Sequence, residues 1–239
     1  MKKKILVLSL VAALVAIAAV GGTLAWFMDD DAATNVFTVG SIEIEQIEVF
    51  DETTAQLLPI VPNDTATHSD DANFIEKDVS VKNTGKNAAF VQTYVAVPAA
   101  LDNNDIIVIN EVNTDKWTKV QGATTEYFAT TTIDGMAYNV YLYRYNTALA
   151  AGTAQQESVT ELLMDGVYIP SNVDMDVTTD VNDNQIGYFK DANGVYISEF
   201  NALGELNIYV ATQAVQVEGF ASAETALNSA FTAIPDFTA

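Results

Sequence analysis

Beyond residue 40, apolar residues recur at every second position over much of the chain, the period of a strand with one buried face. β-Branched and aromatic side chains supply most of these positions, as a half-buried pleated surface requires. Ile42 and Ile44 alternate with Glu43 and Glu45, and Ile47 and Val49 continue one residue out of phase. That slip at Gln46 predicts a β-bulge. Val79 and Val81 alternate with Asp78, Ser80 and Lys82. After the turn Asn83-Thr84-Gly85-Lys86-Asn87, a second strand is expected from Phe90 to Val97, forming a hairpin or a sheet corner with the first. Further strands are expected at Ile106 to Val112, Glu126 to Ile133, Met136 to Tyr145, Gly187 to Lys190, Val195 to Phe200 and Leu206 to Val217. Asp134-Gly135 and Asp191-Ala192-Asn193-Gly194 fall where hairpin turns belong.

Helical signals are few. Ser222 can cap a helix from Ala223 to Phe231, with Glu224 in its positive first turn and Ala226, Leu227, Ala230 and Phe231 on one face. Leu162 and Leu163 fit a short helical turn or a strand. With 49% hydrophobic and 10% aromatic residues, the chain can bury a real core. The expected fold class is therefore all-β: a jelly-roll-like β-sandwich with a few short helices. It forms a single domain over 41–239, with loop insertions near 101–125 and 173–204.

The first 25 residues read differently. Lys2, Lys3 and Lys4 precede an apolar stretch from Ile5 to Val20 whose only polar residue is Ser9, the pattern of a secretory signal helix. Gly21 and Gly22 interrupt it, and Thr23 and Ala25 are small enough for a signal peptidase. Cleavage is expected after Ala25, or one residue later after Trp26. The competing reading is an uncleaved membrane anchor, since the apolar run counted on through Phe27 is long enough to cross a bilayer. Exported, the protein would be extracellular and touch membrane only before cleavage. The chain has no cysteine, so neither a disulfide framework nor a lipid-modified cysteine exists.

Charge narrows the partners. The chain carries 32 acids and 10 bases; without Lys2, Lys3 and Lys4, 7 bases face 32 acids, a formal charge of −25. Nucleic acid and anionic membrane are thereby disfavoured. A self-repelling solvated surface accounts for the acids, and bound divalent cations are the sharper alternative.

Several stretches carry a family resemblance. Gly22-Thr23-Leu24-Ala25-Trp26-Phe27-Met28-Asp29 and Asn35-Val36-Phe37-Thr38-Val39-Gly40-Ser41-Ile42-Glu43-Ile44 resemble the start of the TasA/camelysin family of secreted Gram-positive surface proteins. Lys77 to Gly85 with Phe90 to Val95, Tyr141 to Tyr145 leading to Leu149 to Thr153, and Ile208 to Phe220 are similar to it as well. The resemblance implies a jelly-roll subunit of biofilm-matrix fibres, released by a dedicated signal peptidase. It also implies a homopolymer in which the freed N-terminal segment of one subunit adds a strand to the next, with an accessory or anchoring subunit as a further partner. Residues 26–40 are the expected donor segment, with Trp26, Phe27, Met28, Val36, Phe37 and Val39 apolar enough to dock. Asp29-Asp30-Asp31 suits a buried groove less well, and a flexible acidic leader is the competing reading of the segment.

Camelysin-like relatives are classed as metallopeptidases, yet zinc hydrolysis needs several imidazole or carboxylate ligands and a general base. The sequence has one histidine, His68, and no H-E-x-x-H helix. No catalytic residue and no required cofactor is expected, and the metallopeptidase and a monomeric adhesin stand as alternatives to the fibre subunit. Asp180, Asn182 and Asn184 have a calcium-like alternation, with Asp191 twelfth. Gln185 and Asp191 replace the Gly and Glu of an EF-hand loop, and the hairpin around Asp191 to Gly194 is favoured over a calcium site.

Overall fold

The computed structural model describes residues 28–31, 42–50, 74–152, 158–169, 175–179, 185–190, 194 and 207–237. Its strands are β1 (Met28–Asp31), β2 (Ile44–Phe50), β3 (Phe74–Asn83), β4 (Ala89–Pro98), β5 (Val108–Glu111), β6 (Trp117–Val120), β7 (Ala129–Ile133), β8 (Met136–Tyr145), β9 (Ser158–Val159), β10 (Met164–Tyr168), β11 (Met175–Thr179), β12 (Gln185–Phe189) and β13 (Tyr209–Gln216). Two helices accompany them, α1 (Ala99–Asp102) and α2 (Ala223–Ala230). The protein is all-β, as its alternation predicts.

Two antiparallel sheets share one core. The larger runs β1-β13-β4-β8-β6, with β7 also on β8; the smaller runs β2-β3-β10-β5, with β9 also on β3. β11 and β12 pair with each other. Period-two burial explains the layering: Val91, Val95 and Val97 of β4 and Ala214 of β13 meet Ile44, Val79, Val81 and Met164 of the smaller sheet. The opposite face of β4 and β8, with Tyr94, Ala96, Tyr138, Val140 and Leu142, is buried as well. Val120, Ile234 and Phe237 pack against it. α2 covers a third patch, where Ala226 and Leu227 meet Val215 and Phe90. Ser222 starts this helix as expected, its Oγ accepting from the Thr225 N–H at 3.2 Å.

The expected pairing of the Val79 strand with the Phe90 strand resolves as a corner, because β3 and β4 lie in different sheets. Asn83, fully buried, clamps the turn. Its Nδ2 donates to the carbonyls of Asn87 and Ala150 at 2.9 Å, and its Oδ1 accepts from the Gly85 N–H at 2.9 Å. Asp134 and Gly135 both have positive φ, 50° and 85°, as a two-residue hairpin between β7 and β8 demands. Gly166 marks an irregularity in β10, where a Cβ would collide with the Ile75 carbonyl and the Phe74 ring.

One expectation changes, and one pairing was not foreseen. β2 pairs with β3 in unbroken register from Ile44↔Asn83 to Phe50↔Lys77, so no bulge exists at Gln46. The strand instead keeps its phase, and Gln46 and Glu48 take the core-side positions that follow Ile42 and Ile44, while Val49 is 52% exposed. β12 pairs with β11, from Met175↔Phe189 to Thr179↔Gln185, and the connection between them spans 180–184. Asp180, Asn182 and Asn184 fall in that connection, outside the described residues, as does the expected strand from Val195 to Phe200. The 101–125 stretch supplies β5 and β6, one to each sheet.

Candidate functional site

The edge of the larger sheet at β13 brings a predicted functional segment to a defined place. β13 pairs with β4 over its whole length, from Tyr209↔Ala96 to Gln216↔Ala89. On its other side lies β1, antiparallel, with Met28↔Val215, Asp29↔Ala214, Asp30↔Gln213 and Asp31↔Thr212. Met28 is thus the one predicted strand-donation residue within the described part. Ala25, Trp26, Phe27, Val36, Phe37 and Val39 lie outside it, and so does His68.

Polar side chains order both faces of this edge. On the core side, Thr93 and Thr212 share a hydrogen bond at 3.1 Å, and the Thr212 hydroxyl donates to Gln46 Oε1 of the opposite sheet at 2.7 Å. Gln46 Nε2 donates to the Val210 carbonyl at 3.2 Å and to the Glu48 carboxylate, which in turn binds Lys77. On the far side, Gln92 Nε2 donates to Gln213 Oε1 and to the Tyr94 hydroxyl, each at 2.9 Å. Arg144 extends this row, donating from Nε to Gln92 at 3.4 Å and from Nη2 to Asn228 of α2 at 2.5 Å. Burial lowers the Arg144 pKa, and nearby Glu224 opposes that shift.

A second cluster occupies the opposite flank. Tyr141, Tyr143 and Tyr145 alternate along one face of β8, and each phenol donates to a different carboxylate. Tyr141 reaches Asp102 at 2.8 Å, Tyr143 reaches Glu111 at 2.6 Å, and Tyr145 reaches Glu161. Lys119 binds Glu111 at 2.8 Å and lies 4.4 Å from the Tyr141 ring centre. Trp117 packs edge-on against Tyr145 at 5.0 Å and donates to the Glu161 carbonyl at 3.0 Å. A cleft of about 300 Å³ opens between β5 and β6, lined by Glu111, Thr114, Trp117, Lys119, Tyr143 and Leu163. Burial first, and then the acid partners, push the Tyr141 and Tyr143 phenols far above their ordinary range. They remain protonated donors at neutral pH, suited to holding elements together.

Among the described residues no three of His, Cys, Asp or Glu gather as a metal site, and no helix is long and apolar enough to cross a membrane. No protein-family model, no curated protein and no solved structure matches the chain.

Sequence reading names 26–40 as an expected donor segment and gives no account of the β13 edge beside which Met28–Asp31 lie, nor of the polar bridge at that edge. The pairing of residue 28 with residue 215 leaves no local signal. Gln46 could have been found by keeping the Ile42–Ile44 phase and accepting a polar residue in a core position.

Proposed function

We propose that this chain is a secreted structural subunit of extracellular matrix or cell-surface fibres, a jelly-roll-like sandwich of the TasA/camelysin kind. Its signal helix is removed near Ala25 or Trp26, and its N-terminal segment then joins the β13 edge of a second copy. The observation that carries this reading is the β1–β13 pairing: part of the predicted donor segment already forms the outermost strand of the larger sheet.

Magnitudes make exchange reasonable. A main-chain hydrogen bond contributes about 0.5–1.5 kcal/mol net, while ordering one residue costs about 1–2 kcal/mol. A four-residue strand is therefore held with little surplus. When it departs, β13 presents unpaired N–H and C=O groups, the template that strand addition requires. The same segment of another copy supplies the same register, and a longer contact through Trp26, Phe27, Val36, Phe37 and Val39 can tip the balance toward the polymer.

Deleting Trp26 to Val36 from the mature protein is expected to abolish fibres in electron micrographs while leaving a folded monomer. Fibres of unchanged yield would rule out the donor role.

A further inference from the structure

We infer that the Glu48–Lys77 pair guards the edge of β2 left unpaired among the described strands, so that strands can join this molecule at β13 but not at β2. The part concerning β13 rests on the strand-donation reading above; the part concerning β2 stands on geometry alone.

Among the described strands, β2 pairs only with β3, so one row of its backbone donors and acceptors has no strand beside it. At seven residues it is longer than β1, and Ile44, Ile47 and Val49 give it the composition of a good template. By main-chain criteria it is the more inviting of the two edges at this flank.

Its core-side positions tell against a guest. Ile42 and Ile44 are followed on the same side by Gln46 and Glu48, and Lys77 of β3 takes the position between Ile75 and Val79. The side chains of Lys77 and Glu48 keep 10% and 29% exposure, so the pair still meets water at the open flank. A strand laid along β2 would cover that opening and strip the pair of solvent. Taking both charges fully out of water costs more than a short strand's main-chain bonds return. β13 lacks this obstacle, because its core-side residues Val210, Thr212 and Ala214 are neutral and the one polar group among them is already bonded to Gln46 and Thr93. Inward-facing charges at a sheet edge are a recognised way of keeping strands from pairing edge to edge.

The test uses the full mature chain carrying Glu48→Gln and Lys77→Met, which removes both charges yet keeps an acceptor for Gln46. Hydrogen exchange of the 44–50 amides is read beside light scattering at rising concentration. The expected result is slowed exchange over 44–50 together with a larger rise in mass with concentration than the unsubstituted chain shows. Should this variant not fold, Glu48→Val with Lys77→Met takes its place with the same expectation. The exchanged pair, Glu48→Lys with Lys77→Glu, keeps the charges and should leave the 44–50 amides as fast as in the unsubstituted chain. Unchanged exchange in the neutral variant overturns the inference, as does equal protection in the charge-exchanged one. Strand donation at β13 does not alter the 44–50 amides, so its failure would show separately, as fibres persisting without Trp26 to Val36.

Discussion

The two flanks of the molecule are closed in opposite ways. On the β8 side, three phenols on one strand reach three carboxylates carried by α1, by β5 and by the segment before β10. On the β13 side, the last element is a four-residue strand held in main-chain register, above a bridge of amide and hydroxyl groups. Charge-assisted side-chain bonds are roughly twice as strong as neutral ones. The ladder flank is tied by side chains, while the β1 flank is the one at which the proposed exchange requires a strand to leave.

Removing a rung of the ladder should do the most damage. Tyr143 is 2% exposed, and Tyr143→Ala is expected to cost about 3–5 kcal/mol, the range for deleting a buried ring. Denaturant titration reads this, and a loss under about 1 kcal/mol would mean that the flank tolerates a missing rung. The bridge at the other flank should matter less. Thr212→Val removes one hydroxyl, leaves Gln46 Oε1 without its donor, and should cost about 1–3 kcal/mol in the same titration. If Thr212→Val proves the costlier change, the contrast between the flanks is reversed.

The smallest effect is a pH dependence confined to the ladder. The hydrogen bond from Tyr145 holds the Glu161 carboxyl below its ordinary range. A carboxyl lowered in the folded state contributes stability that is full above its unfolded value and is lost as pH falls through its folded value. Tyr145→Phe should therefore narrow the difference in Tm between neutral and strongly acidic buffer. An unaltered difference would remove Glu161 from the acid response.

The same contrast explains what could be read in advance. β3, β4, β8 and β13 announce themselves because both their length and their alternation are strong, and the Asp134-Gly135 turn is set by backbone chemistry alone. β6 was not legible: Thr118 and Lys119 interrupt its apolar pattern, and it is a strand because β8 pairs with it through Trp117↔Tyr145. β10 is similarly broken by Asp165 and Gly166. Gln46 and Glu48 misled because an apolar count treats a polar residue as outward, whereas here half-buried Gln46 bonds to Thr212 and the more exposed Glu48 turns to Lys77. The pairing of β1 with β13 was not legible, because strand partners far apart in sequence are chosen by the finished sheet.

That distance has a kinetic meaning. Met28 pairs with Val215, so the larger sheet cannot be completed until residue 215 has been made and has met residue 28. Contacts of such high sequence separation form late and slowly, since the closure of a long loop precedes any return from it. A newly made molecule would therefore pass through an interval in which β13 is formed and its neighbour has not arrived. The length of that interval, set by loop closure rather than by the strength of the pairing, would decide whether a chain closes on itself or meets another first.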